Sequence, residues 1–530
     1  MDDESKEIQE QAGWGSGKHH ADYQDCCQLA VSGRWDKAKE GFLRLLDIVE
    51  EPRMLARIHN DLGVLASLEG AAATARRAFD KAVALVPNWQ VPRENRRRID
   101  SAIAPAPRAA LNSRPQRVAI VSLLFNWPST GGGTVHTAET GKFLTQAGYV
   151  VRHFYAEYPE WGLGNVTDPP LAASEAVRFT SAEWSVPDIQ ARFRAAIQNF
   201  GPDWVIVTDS WNSKPILAEA VNQYRYFLRI AAQECLCPLN NVRLLFEEGN
   251  FKSCRKHQFA TPADCCLCVQ TNGRYSGGLH RGERELVQYG TTGYDRSLRS
   301  AFGNAEGILV VNPLIGAMVG PYAKRVHVIP SGFDSTRFPD ALVSVERHNH
   351  GRFRFLFAGL VNEPMKGFDV LHAACQNLWK KRQDFELIAT ADPVGQVDPF
   401  TRHIGWQSQA TLPAVMHDAD IVVVPTVAEE ALGRTAVEAM GVGRPVIASR
   451  IGGLQFTVAD GATGLLFRPG DIGDLERQME ALMDDEELRR RLGQAGRRRF
   501  EEEFTWESIM ERHYLPLLGS PLISVAPKKR

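Results

Sequence analysis

Short apolar runs separated by helix-length stretches of mixed polarity recur from residue 116 onward. Residues 117–125 form such a run, and its lack of polar alternation predicts a strand buried on both faces. Runs at 149–155, 204–208 and 307–311 predict further strands of the same sheet. A second series at 353–358, 385–389, 421–424 and 446–449 predicts another. Helices are expected between them, one of them ending at Gly148, a residue suited to a helix C-terminus. Strict strand–helix alternation places the chain in the α/β class, as two doubly wound parallel-sheet halves. They join near Ile329-Pro330-Ser331-Gly332-Phe333-Asp334, which leaves a cleft at the strand ends, where open sheets bind ligands.

The first hundred residues follow a helical period instead. Gly63, Gly70, Ala75, Phe79, Ala82 and Pro87 set small and large side chains where two closely packed helices need them. Gly33, Ala38 and Phe42 precede Gly70, Ala75 and Phe79 at one constant offset. This pattern resembles the tetratricopeptide repeat, so 21–103 reads as an all-α, TPR-like helical-repeat domain. Such a module implies a protein partner bound through the repeats, or alternatively a structural cap or dimer contact. Such a module either docks on the rest of the chain or is closed by a helix around 92–102. A Pro-rich linker is expected at 104–115, a disordered N-terminus at 1–20 and a flexible tail at 521–530.

Composition narrows the classes. A net charge of −2 over 530 residues argues against a nucleic-acid partner, since neutralising phosphates needs a basic excess. No apolar run approaches the roughly 20 residues of a transmembrane segment. The acidic start without an apolar core and the nine cysteines fit a cytoplasmic protein; peripheral contact with the inner membrane face stays open. Cys254, His257, Cys265 and Cys268 have a spacing compatible with a structural zinc knuckle. Cys235, Cys237 and Cys266 offer alternative thiolates, and plain buried cysteines are the other reading. Asp418-Ala419-Asp420 mimics a metal-binding Asp-x-Asp but lies before a buried strand, where acids commonly finish a turn.

The densest chemistry follows the run 421–424. Glu430 lies in a loop and Glu438, eight positions on, one turn into a helix opened by Gly433-Arg434-Thr435. Free N–H groups at such a helix start attract an anion, and Lys366 before Gly367 is placed to reach the same anion. Gly131-Gly132-Gly133 after the first strand lets backbone approach a ligand, with His136 on the helix that follows.

Taken in order, the glycine run, Pro330 to Asp334, Lys366-Gly367, Glu430 to Glu438, Gly452-Gly453, Gly461-Ala462-Thr463-Gly464-Leu465 and Phe504-Thr505-Trp506 resemble the family-4 retaining glycosyltransferases over 116–518. The resemblance implies the GT-B fold: an N-terminal, acceptor-binding Rossmann-like domain at 116–345 with a Cys-containing insertion near 235–290, a donor domain at 346–500 and a crossover helix at 501–520. It implies metal-independent sugar transfer with retention, from a nucleotide-sugar donor to a glycan, lipid-linked glycan or protein, with no cofactor required for catalysis. Site residues follow: Glu430 on the donor sugar and Glu438 on the ribose, with Lys366, Ala431, Leu432, Gly433, Arg434 and Thr435 binding the donor, Gly131, Gly132 and Gly133 forming the acceptor or phosphate loop, and Asp209 and His136 as further catalytic candidates. The chain departs from the pattern at Thr208, where a histidine is usual, at Leu360 for an arginine and at Phe456 for an acid. Ala431-Leu432 also replaces a common Gly-Phe. Three alternatives stand beside transfer to a glycan: a repeat-guided protein glycosyltransferase, a degenerate GT-B scaffold that binds protein partners, and a different GT-B enzyme such as a nucleotide-sugar epimerase or a sugar-phosphate synthase.

Overall fold

The computed structural model describes residues 19–31, 34–68, 71–87, 89, 91–93, 95–96, 115–129, 131–167, 173–247, 250–339, 351–393 and 398–519. It divides into two compact units, Met1–Ser113 and Arg114–Arg530.

The first unit contains α1 (His20–Val31), α2 (Trp35–Leu46), α3 (Pro52–Leu68) and α4 (Ala72–Leu85). Ala38, Phe42 and Leu45 recur at helical spacing along α2 and are buried with Cys26, Ile58 and Leu65. A smaller cluster joins Ala66, Ala75 and Phe79. Gly63 is the point of closest approach: a Cβ there would lie 2.5 Å from the Phe79 ring. Gly33 and Gly70, the N-terminus to residue 18, the linker to residue 114, most of the expected helix at 92–102 and the tail from 520 lie outside the described residues.

In the second unit, the strands in chain order are β1 (Arg117–Ser122), β2 (Val150–Glu157), β3 (Ser174–Arg178), β4 (Trp204–Thr208), β5 (Tyr226–Ile230), β6 (Leu244–Glu247), β7 (Asn250–Ser253), β8 (Gly307–Val310) and β9 (Val326–Val328). Then come β10 (Phe353–Phe357), β11 (Phe385–Ala389), β12 (Thr401–His403), β13 (Ile421–Val424), β14 (Val446–Ser449) and β15 (Gly464–Phe467). Seven of them make one parallel sheet, β3-β2-β1-β4-β5-β8-β9, and six another, β12-β11-β10-β13-β14-β15. β6 and β7 form an antiparallel hairpin inside the insertion between β5 and β8.

The predicted run 117–125 is cut short at Ser122, because Leu123 and Leu124 turn their N–H groups to the Asp209 carbonyl. β3, β5, β9 and β12 carry no clean apolar run: two are three residues long, and Glu175 and Arg229 interrupt the others. β15 is concealed in the glycine-rich stretch before it.

The last described segment crosses back to the first sheet. Trp506, Ile509, Tyr514 and Leu518 are buried with Val118, Ile120, Phe143 and Trp204, and the Trp204 indole donates to the Leu518 carbonyl at 3.0 Å. Phe333 and Thr505 form a bridge at the junction of the two halves, where a Cβ on Gly332 would sit 2.4 Å from the Trp506 ring. Among the described residues no helix is long and apolar enough to cross a membrane.

Candidate functional site

A cavity of about 340 Å³ lies between the two halves, with Lys366, Glu430 and Gly433 to Thr435 on one wall and Gly132, Gly133 and Ala231 among the residues of the other. Its central loop follows β13. Thr426 Oγ1 and the Val427 N–H both donate to the Met365 carbonyl, at 2.8 and 2.9 Å, which staples the Lys366 turn to the Glu430 loop. Gly367 must be glycine for this: φ is 73°, and a Cβ would meet the Pro425 carbonyl at 2.0 Å. Lys366 Nζ then pairs with Glu430 Oε1 at 2.7 Å. The Glu430 charge raises the Lys366 pKa above its ordinary value, against the opposing effect of burial.

Gly452 and Gly453 form the bed of the loop. The Gly453 N–H donates to the Glu430 carbonyl at 2.6 Å, and a Cβ there would come within 1.9 Å of the Ala431 carbonyl. Leu432 is buried, and its carbonyl accepts the Thr457 hydroxyl at 2.6 Å. These contacts give Ala431 and Leu432 a backbone role in the wall.

Helix α5 (Gly132–Gln146) starts on the far side of the cavity, and α6 (Arg434–Gly441) starts on the near side behind Gly433. The Arg434 guanidinium lies 4.2 Å over the Phe333 ring, and both Nη atoms are enclosed without a partner. Its Cδ would be 2.9 Å from a Cβ on Gly132, so the side chain spans the seam between the halves. Glu438 is buried on α6, its Oε1 3.4 Å from Arg337 Nη2, and does not line the cavity.

On the first half, Gly132 and Gly133 line the cavity, whereas the Gly131 N–H is turned to Ser129 Oγ. Asp209 stands one layer behind, with Oδ1 3.7 Å from a Cβ built on Gly133. Its Oδ2 is enclosed without a partner, and burial pushes the carboxyl up to about 7. Thr208 is committed to Thr137, hydroxyl to hydroxyl at 3.0 Å. His136 is buried, stacked on Trp506 with ring centroids 5.1 Å apart, and burial holds its pKa well below the usual range. It lies away from the cavity wall. Leu360 and Phe456 are both exposed.

The structure thus gathers Lys366, Glu430, Ala431, Leu432, Gly433, Arg434, Thr435, Gly132 and Gly133, and sets apart Gly131, His136, Asp209 and Glu438. The motif reading missed Glu429, Asn241 and Val242, which also line the cavity. The doubled acid at 429–430 was visible in the sequence; nothing marked Asn241.

Of the candidate zinc ligands, Cys265 is raised in pKa by burial, and Cys237, Cys254 and Cys268 lie close enough for their charges to raise it further. Among the described residues no three Cys, His, Asp or Glu side chains form a group able to hold a metal ion. Cys265 and Cys268 ride on the helix Pro262–Asn272 and Cys254 follows β7, while the His257 ring lies beside Phe259 and Tyr322. All nine cysteines are free. Asp418 and Asp420 serve Arg354, through its Nη1 at 2.5 Å and its N–H at 2.8 Å.

Comparison with known proteins bears on the fold. Residues 399–499 match the family described as Glycosyl transferases group 1. The MMP alpha-(1->4)-mannosyltransferase of Mycolicibacterium hassiacum is 29% identical over 197 residues, 35% of this chain and 46% of that protein. The chain thus spans about half the length of the curated relatives it matches. Among solved structures, the sucrose-phosphate synthase of Thermosynechococcus elongatus aligns with a TM-score of 0.51 at 19% identity, covering 76% of this chain and 99% of that one. Anabaena Alr3699/HepE in complex with UDP-glucose aligns with a TM-score of 0.51 at 16% identity and the same coverage. The GT-B arrangement of two parallel-sheet Rossmann-like domains is the fold observed.

Proposed function

We propose that the chain is a glycosyltransferase that moves a sugar from a nucleotide-sugar donor to an acceptor hydroxyl with retention of anomeric configuration. One observation carries the reading: the Lys366–Glu430 pair and the start of α6 open onto a single cavity at the carboxyl ends of the strands. A departing nucleoside diphosphate accumulates negative charge, and preorganised positive groups lower the barrier to its departure. Lys366 and the N–H groups at the start of α6 supply that potential without a resident metal. When the diphosphate engages Lys366, the Glu430 carboxylate is released to accept hydrogen bonds from the donor sugar. Glu438 lies outside the cavity wall in this structure, paired with Arg337, and takes the ribose hydroxyls once the donor draws it from that partner. Gly132 and Gly133 bring backbone up to the phosphates or acceptor, and Asp209 supports that loop from behind.

The mannosyltransferase name of one relative and the UDP-glucose bound to a protein of the same fold support a nucleotide-sugar donor. The acceptor is a glycan, glycolipid or protein, and in the last case the helical first unit, read as tetratricopeptide repeats, is where the polypeptide binds. Thermal-shift screening against UDP-, GDP- and ADP-sugars, followed by hydrolysis of the hits, tests the proposal. Stabilisation by one nucleotide class and its turnover are expected. No shift and no hydrolysis with any of them refutes transfer and leaves a binding scaffold.

A further inference from the structure

The acid directly before Glu430 is held from across the cleft. Gln233 Nε2 donates to Glu429 Oε2 at 3.2 Å, and Arg243 Nη2 lies 3.6 Å from Glu429 Oε1. Gln233 and Arg243 both belong to the insertion that follows β5, so this contact joins the two halves of the molecule. Arg243 is only 5% exposed, and its φ of 49° is a left-handed conformation that strains a non-glycine residue. Its remaining contacts run back toward the first half. Nη2 donates to the Cys254 carbonyl at 2.6 Å, Nη1 meets the Met318 sulfur, and the Arg243 carbonyl accepts the Cys254 N–H at 2.7 Å across the mouth of the β6–β7 hairpin. The Gln233 N–H donates to the Asn241 carbonyl at 3.0 Å, folding the loop so that Asn241 and Val242 line the cavity. Two residues beyond Glu429, the Ala431 carbonyl accepts Asn312 Nδ2 at 2.7 Å, again from the first half. The loop 429–431 is therefore suspended from Gln233, Arg243 and Asn312.

We propose that Arg243 is a positioning residue: by gripping Glu429 it ties the Cys-bearing insertion to the donor loop and sets where the Glu430 carboxylate stands. The role of Glu430 rests on the function proposed above; the grip itself does not. The buried Arg243 guanidinium faces the Glu429 carboxylate, and removing one partner leaves the other charge uncompensated. Glu429 and Glu430 are adjacent, so a displaced backbone at the first moves the second within the same loop. The contact also bridges two halves whose approach assembles the site, the kind of link that controls turnover more than ground-state affinity.

The test uses the full chain as Arg243→Gln, Glu429→Gln, the double variant and Arg243→Lys. Hydrogen exchange over residues 427–433 is expected to quicken about tenfold or more in each glutamine single variant, with no further gain in the double and partial restoration by lysine. With whichever UDP-, GDP- or ADP-sugar the wild type hydrolyses, kcat falls about tenfold while the Kd of the matching nucleoside diphosphate changes less than about twofold. Unchanged loop exchange overturns the proposal, as do additive effects of the two single changes. Faster exchange spread equally through β1 and β10 reveals a merely structural residue and overturns it too. So does a loss of nucleotide affinity as large as the loss of kcat. If the wild type hydrolyses none of the donors, the proposed function fails, and the exchange measurement still decides the role of Arg243.

Discussion

Glu430 and Glu438 are identical carboxylates that the fold sends to different surroundings. Glu430 faces the cavity against a lysine, and Glu438 is enclosed beside Arg337. Glu430→Gln is therefore expected to lower turnover by about 10²-fold with nucleotide affinity nearly kept, as for loss of a group that acts on the transition state. Glu438→Ala should abolish nucleotide-sugar binding in titration calorimetry, and unchanged transfer in both variants removes the assignment. Asp209 has a different signature. Its carboxyl is raised from 3.8 to about 7 by burial, so the fold favours the protonated form. That stability is complete below the unfolded pKa and is lost as pH rises through about 7. Melting curves should show Asp209→Asn gaining on the wild type between about pH 4 and pH 8, and a pH-independent difference refutes the enclosed carboxyl. Residue identities at the site were legible in the sequence, but their partners were not. Nothing local announces that Arg337 meets Glu438, or that His136 stacks on Trp506 rather than facing the cavity.

Two glycines of the second half show how an element's path depends on what passes beneath it. Gly453 lies under the Glu430 loop, where a methyl group would collide with the Ala431 carbonyl; Gly461 has φ 73° and open space around it. Gly453→Ala should cost about 1–3 kcal/mol by overpacking and weaken nucleotide affinity at the same time. Gly461→Ala should cost about 1 kcal/mol of backbone strain and leave affinity alone. Paired melting and binding measurements separate them, and equal affinity in both refutes the clamp. The central strands of both sheets were legible as apolar runs because they are buried on both faces. β5 was not, since Arg229 sits inside it, fully buried and donating to the Ile329 carbonyl at 2.7 Å. Its charge hides a core strand from any rule based on hydropathy.

At the scale of the whole molecule, each of the two units has hydrophobic clusters of its own. Calorimetry of the full chain should therefore resolve more than one transition. Trp506 is fully buried among first-half residues although it follows the second half in sequence. Trp506→Ala should destabilise the second unit by about 3–5 kcal/mol, and an unmoved transition refutes the crossover contact. By itself the sequence determined the α/β class, the doubled Rossmann-like layout and the loop that bears Glu430 and the start of α6. These depend on local period, turn residues and spacing, which are written along the chain. Only the tertiary structure decided which acids face the cavity, that His136 stacks on Trp506, and that Arg243 reaches Glu429. Those outcomes depend on contacts between residues far apart in sequence, whose distances are set by packing.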